Sequence, residues 1–160
     1  MTKDDIPPCQ IFIDKEGRWF HKGAEMIHRE FIRLFYENMD LDEDGRTVIH
    51  WQGERCIVDV EDTAHVVRRV EVNGNGALLF LSDDTQEILS PRTVVEGADH
   101  VLYCRVKGDR FPARFTRPAY YQLAEHIVED AGRYRLSWKG GQWDLEGLGR
   151  SRTDPESDPL

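Results

Sequence analysis

Five cations fall within one short stretch of the chain, Arg105, Lys107, Arg110, Arg114 and Arg117, opposed there only by Asp109. Arginine forks pair bidentately with phosphate or carboxylate, so arginines converging on one face describe an anion site. The apolar residues Leu102, Cys104 and Val106, then Phe111, Ala113 and Phe115, alternate with the first four cations. Two strands with one apolar face would therefore place those cations together on the other. Arg117 comes where a helix begins, and a helix start adds free N–H groups and a positive dipole end. Arg105, Arg114 and Arg117 are the expected anion contacts. Tyr121 and Trp19 are the expected packing surfaces for a ring, and Glu61 or Asp62 the expected polar acceptors, suited to ribose hydroxyls.

Other constellations support less chemistry. "DLDEDG" at 40–45 opens like a calcium loop, but its twelfth position is Trp51 in place of the bidentate glutamate. Histidines at 21, 28, 50, 65, 100 and 126 lack metal-ligand spacing, and no metal or cofactor is expected. Ser137 has no nucleophile elbow around it, and "VNGNGA" reads as a turn because no helix follows it. The pair Glu61–Asp62 could serve acid–base chemistry, which keeps a small-molecule hydrolase among the alternatives. Cys9, Cys56 and Cys104 are odd in number and lack CxxC spacing, so reduced thiols in a cytoplasmic protein are expected.

Positioning those groups takes a globular scaffold. The chain has 160 residues, 39% hydrophobic and 32% charged, with a formal net charge of −9. That charge argues against nucleic acid as the main partner, since phosphate neutralisation needs a basic footprint. No run approaches the roughly 20 apolar residues of a membrane span, and no secretory signal opens the sequence. The charge is uneven. Residues 1–100 hold 11 Lys+Arg and 21 Asp+Glu, whereas residues 101–160 hold 10 and 9.

The element pattern reads twice. "QIFIDKEGRWFHKG" alternates around the turn "DKEG", and Ile27, Phe31, Leu34 and Phe35 then give the apolar stripe of a helix. "TVIHW" and "CIVDV" follow as a second hairpin. From residue 101 the order recurs: "VLYCRV" and "FPARFT" flank "KGDR", and Tyr120, Ala124, Ile127 and Val128 form a stripe behind a Thr116 cap and Pro118. "YRLSW" and "WDLE" come last. "GRTVIHWQG" at 45–53 and "GRYRLSWKG" at 132–140 share two glycines, an arginine and a tryptophan in register, 132 − 45 = 87 positions apart. An α+β protein is expected, a tandem duplication of a ββ-α-ββ unit with about eleven short strands and two main helices. Residues 1–63 would form the first unit and 64–149 the intervening strands with the second. Residues 150–160 would be a disordered tail.

Several blocks resemble a known bacterial family, domain of unknown function 1285. They are "G-x-W-F-x-x-G" (Gly17, Trp19, Phe20, Gly23), Leu34–Phe35, "V-E-D" (Val60–Asp62) and "R-P-x-Y-Y-x-L" (Arg117–Leu123), and the likeness runs from Ile11 to Gly149. The resemblance implies a duplicated α+β core, its second half loosely pleckstrin-homology-like, and a nucleotide-like ligand in a cleft between the halves. It implies a signalling role and no established catalysis. The chain departs from the family pattern at Thr63–Ala64–His65, where the family carries a proline and an aromatic residue.

The functional expectation is a non-catalytic protein that binds a small anionic, nucleotide-like ligand at the seam between its halves, in a signalling or regulatory role. A protein-interaction module, whose acidic first half docks a basic partner, is the alternative outside ligand binding.

Overall fold

The computed structural model describes residues 6–148, so the expected tail at 150–160 lies outside the described residues. The chain divides into two compact units at Ala64–His65. The first runs β1 (Pro8–Ile13), β2 (Trp19–His21), β3 (Ala24–Glu25), α1 (Arg29–Glu37), β4 (Met39–Leu41), β5 (Thr47–Trp51) and β6 (Glu54–Val60). The second runs β7 (His65–Asn73), β8 (Gly76–Leu81), β9 (Gln86–Ile88), β10 (Val95–Glu96), β11 (Leu102–Val106) and β12 (Phe111–Phe115). It continues with α2 (Arg117–Ala124), β13 (Ile127–Asp130), β14 (Arg133–Trp138) and β15 (Gly141–Asp144).

The α+β class and a duplicated core stand, but the duplicated frame differs from the one expected. The first sheet has the order β3-β2-β1-β6-β5-β4 and the second β10-β11-β12-β7-β8-β9. Each chain path starts at a central strand, meanders to one edge, crosses to the other edge and returns to the centre. There the first and last strands run parallel, Ile13 opposite Val60 and His65 opposite Ala113. Those partners are 60 − 13 = 47 and 113 − 65 = 48 residues apart. The repeat is therefore a six-strand meander, crossed by α1 in one copy and by the 3-10 turn Pro91–Thr93 in the other. The described residues hold 15 strands, more than the expected eleven, because two- and three-residue edge strands carry no alternation to read. The hairpin with Trp138 resembles the hairpin with Trp51 locally, yet it belongs to a separate sheet, β13-β14-β15.

Turn chemistry builds the first sheet. In "DKEGR" and "DEDGR" the same five-residue turn recurs, with Gly17 and Gly45 at φ +86° and +82°, where a side chain is strained. Asp42 Oδ1 accepts from the Asp44 and Arg46 amides at 3.0 and 2.8 Å, and Oδ2 from Arg46 Nε at 2.8 Å. Asp14 holds Glu16 and Arg18 in the same way. Burial pushes the Asp42 carboxyl up, but these donors outweigh it and hold the group below its ordinary range. The calcium-like motif is thus a hairpin clamp.

Two helix expectations need correction. In α1 the buried residues are Ile32 and Tyr36, while Phe31 is exposed, and Ile27, exposed as well, precedes the helix. Trp19 sets that rotation: its Nε1 donates to Tyr36 Oη at 3.1 Å, and its ring stacks on Phe35. Tyr36 in turn donates to the Ala64 carbonyl at 2.7 Å. In α2 the Thr116 side chain caps Ala119 N at 3.2 Å as expected, but the helix stops at Ala124 and Ile127 and Val128 belong to β13.

The cysteines also depart from expectation. Cys9 and Cys56 form a disulfide, with 4.9 Å between their Cα atoms, because parallel pairing of β1 and β6 brings them side by side. Cys104 alone is a free thiol among the described residues.

Candidate functional site

In the β11–β12 hairpin Leu102, Cys104, Val106, Phe111, Ala113 and Phe115 are buried. The other face carries Tyr103, Arg105, Pro112 and Arg114. Tyr103 lies opposite Arg114 and Arg105 opposite Pro112, so the two arginines are diagonal neighbours on one face. A Cβ on Gly97 would stand 2.7 Å from the Tyr103 ring, so the glycine gives that ring its place beside the arginines.

Arg105 is fixed at both ends. Its amide donates to Thr93 Oγ1 at 3.0 Å and its Nε to the Asp109 carbonyl at 3.2 Å. The Asp109 carboxylate pairs with Arg92. Arg92 borders a groove of about 450 Å³ that is also lined by Arg135, Gln142, Trp143, Asp144 and Glu146. Arg135 lies opposite Asp144 on the neighbouring strand and donates to its Oδ1 at 3.1 Å. The indole of Trp143 is exposed. Gly147 brings this wall against the 3-10 turn, since a Cβ there would stand 2.0 Å from the Val94 carbonyl oxygen. Two guanidinium groups, an amide and two carboxylates thus border one ligand-sized space, while Trp143, paired with Leu136, alternates to the other face of the hairpin from Arg135, Gln142 and Asp144.

Arg117 opens α2 and is exposed, as is Tyr121, whose ring lies 5.2 Å from that of Tyr120. The helix is pinned to β7 by Gln122 Oε1, which accepts from the Val70 amide at 2.7 Å. Lys107 and Arg110 depart from the expected basic face. Lys107 sits past the strand end at φ +59° and pairs with Asp83 Oδ2 at 2.6 Å. Arg110 lies over the Phe111 ring, 5.2 Å from its centroid.

Asp83 belongs to a buried polar cluster. Its Oδ1 accepts from the Thr85 amide at 3.0 Å, and Lys107 Nζ reaches Thr85 Oγ1 at 2.8 Å. His65, 2% exposed, packs on Phe111 with 4.8 Å between ring centroids. Burial pushes its pKa down to about 4, against the pull of Asp83 and with the help of Lys107. Burial likewise pushes the Cys104 thiol up to about 12, with Glu87 and Asp109 adding to it, which leaves it unreactive at neutral pH.

The remaining expected residues belong to the first unit. Trp19 is 1% exposed, a core residue and not an open stacking surface. Its indole N–H needs a buried partner, and Tyr36 supplies it. Glu61 Oε1 accepts from the Lys15 amide at 2.9 Å and so holds the first hairpin turn. Asp62 follows in an exposed turn. Among the described residues no three His, Cys, Asp or Glu side chains are grouped to hold a metal ion, and no helix is long and apolar enough to cross a membrane.

Sequence reasoning missed Arg92, Arg135 and Trp143. They stand in unrelated stretches, and only the packing of the 3-10 turn on β15 brings them to one groove.

Fold and site together define an α+β protein with a duplicated six-stranded sheet and a charged groove in its second unit. No family model matches the chain, and no curated protein matches it. Among solved structures, a DUF1285 family protein from Silicibacter pomeroyi DSS-3 matches with a TM-score of 0.72 at 19% identity, over 89% of this chain and 82% of that one. A DUF1285 family protein from Shewanella baltica OS155 matches with a TM-score of 0.62 at 18% identity, over 74% of this chain and 91% of that one. The chain therefore has the fold of DUF1285 proteins, the family its sequence blocks resemble.

Proposed function

We propose that the protein is a non-catalytic receptor for a small anionic, nucleotide-like ligand, used in signalling or regulation. The observation that supports this reading best is the second-unit groove of about 450 Å³, which Arg92 and Arg135 both line. A phosphate would take the guanidinium groups, and Gln142 and Glu146 would hydrogen-bond a base or ribose hydroxyls. Arg105 and Arg114 add two cations on the neighbouring hairpin, with Arg105 linked to Arg92 through Asp109. Arg117 and Tyr121 supply a further cation and ring at the start of α2. Glu61, by contrast, is occupied with the Lys15 amide, which counts against the hydrolase alternative.

A thermal-shift screen of ADP, GDP, cyclic AMP, inorganic phosphate and sugar phosphates tests the reading. Saturation at a hundred times Kd raises stability by about 2.7 kcal/mol. The expected result is a shift with at least one nucleotide that Arg92→Ala and Arg135→Ala remove. No shift with any of these anions would reject the proposal.

A further inference from the structure

A groove in the first unit lies outside everything assigned so far. It measures about 1100 Å³, and its lining includes Pro8, Phe12, Phe20, Lys22, Ile57 and Asp59. It opens on the face of the first sheet opposite the one on which α1 packs. Trp19 and its partner Ile13 lie on the helix side and are buried, whereas Phe12 and Phe20 alternate outward, and the buried Ile11 also borders the groove.

A local irregularity in the backbone makes the hollow. Between Pro8 and Phe12 the pairing of β1 with β6 slips its register, and Gln10 adopts φ +64°. A non-glycine residue in that region is uncommon, and an extra residue in a strand kinks it away from its neighbour. Three ties hold the kinked segment: the Cys9–Cys56 disulfide, Ile57 N donating to the Pro7 carbonyl at 2.8 Å, and Lys22 N donating to the Gln10 carbonyl at 3.0 Å. The hollow is thus a built feature with fixed walls.

Its chemistry is sorted from end to end. Phe12 and Phe20 are cross-strand partners with ring centroids 6.1 Å apart, and Phe12 remains 36% exposed. These rings with Pro8 and Ile57 form an apolar floor. Lys22 stands beside Gln10 at one end, and Asp59 lies opposite Phe12 on β6 at the other. Two residues along a strand and two strand spacings across put the Cα atoms of these two residues roughly 12 Å apart, a span that two or three fused or linked rings fill.

We infer that this groove binds a flat aromatic molecule with one anionic group, an aryl carboxylate, sulfonate or phosphate, its anion on Lys22, its rings over Phe12 and Phe20, and a hydrogen-bond donor facing Asp59. The site is independent of the arginine groove. It needs neither Arg92 nor Arg135, and it survives if the nucleotide reading fails.

Two dyes test it on the full chain. 1-Anilinonaphthalene-8-sulfonate has the rings, an N–H and an anion, and uncharged N-phenyl-1-naphthylamine lacks only the anion. Wild type should bind one sulfonate dye per chain, read by fluorescence titration. Phe12→Ser, checked for an unchanged circular dichroism melt, should weaken both dyes about tenfold. Lys22→Gln, an exposed turn substitution, should weaken the sulfonate about three- to fivefold and leave the uncharged dye unchanged. Dye binding indifferent to both substitutions, or lost with Phe31→Ser instead, would overturn the inference. So would a sedimentation mass that halves in Phe12→Ser, because a second copy of the chain would then be the occupant.

Discussion

Cys9 and Cys56 are bonded across the one parallel strand pair of the first sheet, closing a loop between residues 47 apart in sequence. A crosslink of that span restricts the unfolded chain and stabilises the fold by about 4 kcal/mol in the loop-entropy model. The Cys9→Ser/Cys56→Ser double variant should lose about that much in urea denaturation, and added reductant should then have no further effect. Under non-reducing denaturing conditions the wild type should titrate a single thiol, Cys104.

His65 and Asp83 give the fold an acid limit. The folded His65 has a pKa near 4 against an ordinary 6.5, so below pH 6.5 the unfolded chain takes up a proton that the folded one refuses. The contribution is fully present above pH 6.5 and disappears as pH falls to 4, a loss of about 3 kcal/mol. Burial pushes Asp83 up, but Lys107 and Thr85 outweigh it and hold its pKa below the ordinary value, so its own loss comes at still lower pH. His65→Phe, which keeps the packing on Phe111, should flatten the limb between pH 6.5 and 4 in denaturation curves taken across that range. An unchanged limb would place its origin elsewhere.

Tyr36 links a core indole to the end of the first unit. Its hydroxyl accepts from Trp19 and donates to Ala64, and all three groups are buried. Tyr36→Phe should therefore cost about 1–3 kcal/mol by stranding both partners, although it keeps the ring. Equilibrium denaturation measures it, and near-ultraviolet circular dichroism should report the Trp19 environment.

Local chemistry was legible in the sequence. The Asp14–Gly17 turn, the Thr116 cap and the alternation that sets Arg105 and Arg114 on one face all follow from near neighbours, whereas the matching clamp at Asp42 resembled a calcium loop. What failed to show depends on distant pairing. Nothing in a local pattern says that Ile13 lies beside Val60, so the frame of the duplication and the disulfide were hidden together. The rotation of α1 is decided by the hydrogen bond from Trp19 to Tyr36, which overrides the stripe of Ile27 and Phe31. Lys107 looked like a surface cation and proved to be the partner of a buried aspartate. The Arg92–Arg135–Trp143 groove was invisible for the same reason, since its walls meet only where Gly147 lies against Val94.

The proposal to test first is that Arg92 and Arg135 hold a nucleotide-like anion. Isothermal titration of ADP at two salt concentrations, into wild type, Arg92→Ala, Arg135→Ala and Lys22→Gln, tests it most directly. The account predicts saturable binding that weakens with salt, falls about tenfold or more in Arg92→Ala and in Arg135→Ala, and is unchanged in Lys22→Gln. Binding of ADP that all three variants retain in full, or no heat with wild type at millimolar ADP, would contradict it.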